Sequence, residues 1–315
     1  MKEDNICVSI IMNCYNGEKY LNEAIDGVLA QTYQNWELIF WDNQSSDNSA
    51  KILQSYEDER IQYYLSEKFT SLGEARNQAI MKSKGEFIAF LDCDDLWLPG
   101  KLGKQIPLFS PPEVGLVICD TCFFNEKGIQ KQLYKKKKPP VGNVFRELLG
   151  EYFISLETAV IRRQALESLE NWFDTRFDVI EEYDLFVRIG YRWQLAYADE
   201  VLAKWRIHGS SWTWNSSELF PGERKLMLDK LRLLIPEFEK SYAEEIIQIE
   251  RTCSLEEAQM AWKEDRNLEA RQLLDPYKTS GLKWFAAYCM TWFPSPGFNP
   301  SENKPYFKAV RPWEK

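Results

Sequence analysis

No stretch of this chain is apolar for long enough to cross a bilayer. The nearest candidate, Leu282 to Phe293, is aromatic-rich, but Lys283 interrupts it and Pro294 stops it. No secretory leader is expected, since Met1-Lys2-Glu3-Asp4-Asn5 is acidic and the apolar run after it is too short. Positive charge is scarce, with 39 Lys and Arg against 48 Asp and Glu and a formal net charge of -9. That balance argues against a general nucleic-acid binder, which needs clustered Lys and Arg for phosphate contacts. The one basic run, Lys135-Lys136-Lys137-Lys138, precedes Pro139-Pro140 and reads as a solvated loop, with an anionic membrane surface as the alternative contact. Seven cysteines are an odd number, and they are scattered. Cys7, Cys14, Cys93 and Cys119 sit in or beside apolar runs, as small buried hydrophobes do. Cys119-Asp120-Thr121-Cys122 has no second pair and no nearby His, so a strand with alternating faces is expected rather than zinc. A reducing cytoplasmic setting follows.

What is present is an alternation of strand and helix signals. Ile6 to Met12 is a short apolar run of buried-strand type, and Asn16-Gly17 breaks it. Tyr20, Leu21, Ala24, Ile25, Val28 and Leu29 follow at helical spacing. Strands are expected at Trp36 to Trp41, Ile61 to Leu65, Glu86 to Leu91 and Val114 to Phe124. Helices are expected through Ile52, Leu53 and Tyr56, over Ala75 to Ser83, and over Glu182 to Tyr191 with Asp184 four before Arg188. Alternation of this kind implies α/β architecture with a mostly parallel sheet flanked by helices. From Glu218 onward the pattern turns purely helical, with Leu226, Leu231, Leu234, Ile246, Ile249, Ala258, Trp262 and Leu273 marking several short helices. The expected division is an α/β domain over 1–215 and a helical region over 216–315.

Asp92-Cys93-Asp94-Asp95 stands directly after a strand, where open α/β sheets bind ligands. Carboxylates crowded there repel one another unless a cation joins them. A hard divalent ion that keeps places for substrate phosphates is one solution; an acidic helix cap before Trp97-Leu98-Pro99 is the other. Asn13-Cys14-Tyr15-Asn16 and Asp42-Asn43 end the first two strands on the same edge, and Glu181-Glu182 opens a helix much later. A base can lie on Tyr15, an amide can pair with Asn43, and a metal-bound diphosphate can sit at the aspartates.

The order of these segments resembles glycosyltransferase family 2, the inverting enzymes of GT-A (Rossmann-like) fold that include bacterial surface-polysaccharide types. Val8 to Asn16 is similar to the family's opening strand with its Tyr-Asn, and Gln31 to Leu38 to its second-strand entry. Gly73-Glu74-Ala75-Arg76-Asn77 resembles its Ala-Arg-Asn segment. Gly85 to Asp95 resembles the DxD strand, with Pro99 and Lys101-Leu102 in the helix after it. Glu181-Glu182-Tyr183-Asp184-Leu185 with Arg188 is similar to the catalytic-base helix, and Trp205 to Ser211 to the closing segment.

The resemblance implies a nucleotide-diphosphate sugar donor, a glycan, glycolipid or protein acceptor, and a divalent metal, Mn2+ or Mg2+. It places Asn13, Tyr15 and Asn43 at the nucleotide base. Asp92, Asp94 and Asp95 fall at ribose and metal, with Asp94 or Asp95 as ligand, and Glu182 at the catalytic base. Arg76 is a structural pairing residue or a phosphate contact. His208 is a structural residue or a metal or phosphate contact, on a loop that closes over the diphosphate. Asp120 stands at a strand position that can border the donor or acceptor pocket. Two departures stand out. Asn43 replaces a frequent Asp and can donate as well as accept, which leaves the base open; Glu182 replaces the usual Asp and is one methylene longer. Two other classes compete. A sugar-phosphate nucleotidyltransferase needs a glycine-rich phosphate loop after the first strand, and Asn13 to Gly17 is not one. A non-catalytic glycan-binding or scaffolding protein has no need of Asp94, Asp95 and Glu182. The helical tail is expected to pack as core, or to meet a partner or membrane edge through Trp284, Phe285, Trp292 and Phe293.

Overall fold

The computed structural model describes residues 8–209 and 216–295. They fall into two compact units: 8–148 with 153–209, and 149–152 with 216–295.

The first unit is built on a nine-stranded sheet in the order β3-β2-β1-β4-β8-β6-β9-β5, with β7 paired to β6. The strands are β1 (Val8–Cys14), β2 (Trp36–Asp42), β3 (Ile61–Leu65), β4 (Phe87–Phe90), β5 (Leu96–Trp97), β6 (Val114–Asn125), β7 (Gly128–Gln132), β8 (Val160–Arg162) and β9 (Gln194–Arg206). β3, β2, β1 and β4 run parallel, and β9 runs parallel to β6. β8 is antiparallel to both β4 and β6 and joins these two parallel groups. Every position of β1, β2 and β4 is buried. That explains their unbroken apolar runs, since a parallel sheet is covered on both faces. Two of the polar exceptions, Ser9 and Glu37, are paired. Ser9 Oγ donates to Glu37 Oε1 at 2.6 Å and accepts from Gly85 N–H at 2.7 Å.

The helices obey the expected periodicity. α1 (Leu21–Leu29) buries Leu21, Ala24, Ile25 and Val28 on one face. α2 is Ser49–Gln54. α3 (Leu72–Lys82) starts three residues before the expected Ala75, because Ser71 caps it by accepting from Glu74 N–H. α4 (Lys101–Gln105), α5 (Phe145–Gly150) and α6 (Arg163–Glu167) are short. α7 spans Glu181–Arg192, so Glu181 lies in its first turn with Glu182. Expected strands and observed ones agree to within about two residues at most ends, the usual fraying scale. The 13-residue β9 is the longest of the elements that periodicity did not predict, beside the short β5, β7 and β8. Its residues are only partly buried and carry charge at Asp199, Glu200 and Lys204, so alternation is weak. Asn125 to Gly128 makes the expected turn, with Gly128 at φ 101° in the left-handed region.

In the second unit, the expected short helices are replaced over Ile246 to Trp262 by one 21-residue helix, Ala243–Lys263. It follows Phe220–Leu234 and precedes Asn267–Leu274 and Leu282–Met290. Leu255, Ala258, Ala261, Trp262, Ala270, Leu274 and Ala287 form a core there. Gln248 Nε2 donates to Gly150 O at 2.8 Å, within this unit. Among the described residues no helix is long and apolar enough to cross a membrane.

Candidate active site

The ends of β1, β2 and β4 lie side by side, and their loops carry most of the expected site. Asn13 is buried, and its Nδ2 has no hydrogen-bond partner. An amide left without a partner in the interior costs about 1–3 kcal/mol, which a bound group can recover. Tyr15 is exposed and meets Phe69 with ring centroids 4.7 Å apart and planes at 59°. Two exposed aromatics side by side form a platform on which a flat base can stack. Phe69 escaped the sequence reading, because a lone aromatic in the polar loop after β3 carries no periodic signal.

Asn43 spends both ends of its amide on one residue. Its Nδ2 donates to Thr70 O at 2.9 Å, and its Oδ1 accepts from Thr70 N–H and Oγ1 at 3.1 Å each. It therefore sets the loop that carries Phe69. Asp42 is also engaged, accepting from Ser45 N–H at 2.7 Å and from the Tyr63 hydroxyl at 2.9 Å.

The acidic loop is divided in its duties. Asp95 is buried, and its Oδ1 accepts the Arg206 N–H at 2.8 Å. Burial first, and then Asp94, Glu157 and Asp92, push its carboxyl well above the ordinary range. Asp94 is partly exposed, and its Oδ2 lies 2.8 Å from His208 Nε2. The closing segment is thus pinned to the acidic loop. Arg206 donates from Nε to Asp94 O at 2.8 Å and lies over the Tyr20 ring at 4.3 Å. Ser210 and Ser211 of that segment lie outside the described residues.

Arg76 is the centre of the arrangement. It is buried on α3, and its Nη1 donates to Glu181 Oε1 at 2.6 Å. Its Nη2 donates to Asp92 Oδ1 at 3.1 Å and Oδ2 at 3.3 Å. One guanidinium therefore ties the N-terminus of α7 to the acidic loop, and Arg is suited to this because its fork serves two carboxylates at once. Asn77, one residue on, donates to Phe173 O at 2.8 Å and accepts Phe173 N–H at 3.0 Å. Arg188 then bonds Asp184 at 2.7 Å and the carbonyl of Asn171 at 2.5 Å. The Ala-Arg-Asn segment and the expected Asp184–Arg188 pair are thus both clamps on the start of α7.

Glu182 stands beside this clamp. Loss of hydration is the main cause that pushes its carboxyl up to about 8; Glu181 adds to the rise, Arg76 opposes it, and Asp92 and Glu157 add further. A carboxylate poised near neutrality is suited to accepting a proton. Glu157 was not foreseen. It is buried, its Oε2 accepts from Ser155 Oγ at 2.6 Å, and its Oε1 has no partner. Asp120, by contrast, is consumed structurally. It accepts from Tyr134 N–H at 3.0 Å and Gln132 Nε2 at 2.7 Å, where the β6–β9 register shifts.

A divalent cation fits the edge in one respect and lacks ligands in another. Asp94 Oδ2 and His208 Nε2 lie 2.8 Å apart, bonded to each other, so both side chains are at hand for an ion that displaces that bond. Among the described residues no group of three His, Cys, Asp or Glu side chains that could hold a metal occurs. An ion held here would need further oxygens from a bound diphosphate, the usual arrangement for hard cations in phosphate chemistry.

The fold is that of GT-A glycosyltransferases, as the comparisons show. The family model "Glycosyl transferase family 2" matches residues 9–170, and the chain belongs to that family. It is 34% identical over 186 residues to the Escherichia coli UDP-Glc:alpha-D-GlcNAc-diphosphoundecaprenol beta-1,3-glucosyltransferase WfgD, covering 59% of this chain and 70% of that one. It is 29% identical over 238 residues to the putative colanic acid biosynthesis glycosyl transferase WcaA of Escherichia coli K12, covering 70% of this chain and 80% of that one. Among solved structures, the mannosyltransferase PcManGT of Pyrobaculum calidifontis with GDP-Man and Mn2+ superposes with a TM-score of 0.61 at 16% identity, over 90% of this chain and 78% of that one. The S. aureus TarS structure aligns with a TM-score of 0.56 at 20% identity, over 71% of this chain but only 40% of TarS.

Proposed function

We propose that this glycosyltransferase moves a sugar from a nucleoside-diphosphate donor to a hydroxyl of a glycan or glycolipid acceptor, inverting the anomeric centre in one displacement. The Arg76 bridge supports this most, because it holds the helix of Glu182 against the acidic loop across 105 residues of sequence. Tyr15 and Phe69 hold the base, and Asn13 offers its unpartnered Nδ2 to the nucleoside. Asp92 faces the ribose, with Arg76 fixing its orientation. Asp94 and His208 are the residues that would hold a divalent cation, with Asp95 setting the strand end behind them. When bound, Mn2+ or Mg2+ supplies neutralisation of the charge on the departing diphosphate. Glu182 takes the proton of the acceptor hydroxyl as that oxygen attacks the anomeric carbon opposite the leaving group. A lipid-linked acceptor is favoured by the name of the WfgD relative.

Donor binding tests the first half. Calorimetry with UDP and GDP in Mn2+ should show affinity falling at least about tenfold in EDTA, in Asp94→Ala and in His208→Ala, as for a lost charge-assisted contact. Tyr15→Ala and Phe69→Ala should each cost about 1–3 kcal/mol, as lost base stacking does. Unchanged affinity in EDTA and both metal-side variants would remove the cation, and unchanged affinity in both aromatic variants would move the base elsewhere.

The second unit carries a surface suited to a bilayer edge. Leu282, Phe285, Trp292 and Phe293 are exposed by 85%, 55%, 61% and 67%. They line a stretch, 276–293, with two lysines and no acidic residue in a chain of net charge -9. Aromatic and apolar side chains beside lysine suit a headgroup interface. The full chain should sediment with vesicles containing anionic lipid, and a Leu282→Glu/Phe285→Glu variant should stay in solution. Equal sedimentation of both would end the membrane assignment.

A further inference from the structure

We propose that Cys14 and Cys93 are a modification site: a thiol pair that peroxide closes to a reversible disulfide, shutting the donor site. The transfer reaction uses neither thiol, and both are free. They come from neighbouring parallel strands. β1 pairs with β4 with Ile11 opposite Phe90, and Leu91 N–H donates to Ile11 O at 3.1 Å. Cys14 ends β1, three residues past Ile11, and Cys93 lies in the turn after β4, three residues past Phe90. The sulfurs also converge. A Cβ at Gly17 would lie 2.7 Å from Cys93 Sγ and 2.8 Å from Cys14 Sγ, so one small volume touches both. Only glycine leaves that space to the sulfurs. Cys14 is buried and Cys93 partly exposed.

The chemistry closes without a further reagent. The Cys14 thiolate gives two electrons to hydrogen peroxide, the O–O bond breaks, and Cys14 becomes a sulfenic acid. The hydroxide released takes the Cys93 proton and leaves as water. The Cys93 thiolate then attacks the Cys14 sulfur, the S–O bond breaks, and the second hydroxide takes a proton from solvent. The disulfide changes the site because of its neighbours: Cys14 lies between Asn13 and Tyr15, and Cys93 between Asp92 and Asp94. Drawing the sulfurs to about 2.05 Å shifts both loops together. A displacement of about 1 Å at such a site costs on the order of a hundredfold in rate.

The full chain, treated with hydrogen peroxide, alkylated and digested, should yield a Cys14–Cys93 linked peptide. Affinity for a nucleoside diphosphate in Mn2+ should fall at least about tenfold, on the scale of a lost charge-assisted contact, and return with dithiothreitol. Cys14→Ser and Cys93→Ser should each give no such peptide and keep, after peroxide, the affinity each had before it. Sulfinic acid at Cys93 without a link, a link to another cysteine, or equal loss of affinity in the Cys93→Ser protein would overturn the assignment. The peptide map is independent of the sugar-transfer reading, so failure of donor binding before oxidation is distinguishable from failure of the link.

Discussion

Glu182→Gln should lower turnover by about 10²–10⁴-fold while leaving donor affinity unchanged, the range expected when a positioned general base is removed. The substitution keeps size and shape and removes only the ability to accept a proton. The same change should stabilise the protein in alkaline solution. Burial holds the Glu182 carboxyl up at about 8, above its ordinary value of 4.5. A group whose folded value is raised contributes stability at low pH, and that share is lost as pH rises from the ordinary value through the folded one. Glutamine never ionises, so the variant escapes the loss. Thermal midpoints in EDTA from about pH 5 to about pH 9 should therefore diverge upward for the variant. Turnover of the unmodified enzyme should rise with pH through the same window, because only the ionised carboxylate can act as base. Arg76, Glu181, Asp92 and Glu157 all act on this carboxyl, so a bound cation or donor will move the midpoint. A midpoint difference flat in pH, with normal turnover in Glu182→Gln and none in Glu181→Gln, would move the base one residue back.

How much of this was legible in the sequence differs between the sheet and the site. β1, β2 and β4 were readable because burial on both faces leaves unbroken apolar runs. α1 and α7 were readable because one face or most of the helix is apolar. β9 was not, since it is half-exposed and interrupted by charge, although its last residues bring Arg206 and His208 to the acidic loop. The aspartates and the glutamate pair were visible as residues, but their division of labour was not. Nothing in Asp94-Asp95 says that one faces a histidine and the other a strand's N–H. Nothing in Glu181-Glu182 says that the first is held by Arg76. Those facts depend on partners 105 to 114 residues away. Asn43 shows the converse: its expected place at the base is set by sequence order, whereas its amide is spent on Thr70.

Arg76→Met should destabilise the protein by about 3–5 kcal/mol near pH 8, the scale for removing one member of a buried charge cluster. Methionine fills much of the same volume, so the effect is electrostatic rather than a cavity. Arg76 is 2% exposed and holds Glu181 at 2.6 Å and Asp92 at 3.1 Å, and burial already raises both carboxyls against its pull. Without the guanidinium their values climb further, so near pH 8 the folded state must either keep the buried Glu181 charge beside the partly exposed Asp92 one or take up protons. The cost should shrink toward about pH 5, where the two carboxyls hold their protons more readily. Arg76→Lys should recover part of the stability, since it restores the charge but cannot fork to two carboxylates. If Arg76→Met does not fold, the triple variant Arg76→Met/Asp92→Asn/Glu181→Gln should, because both carboxylates that the guanidinium bonds are then neutral. Denaturant titrations at the two pH values decide the matter. A loss for Arg76→Met that is equal at both would mean that the residue acts by packing against Phe173 (5.4 Å from guanidinium to ring centroid) and not as the charge that holds the Glu182 helix to the acidic loop.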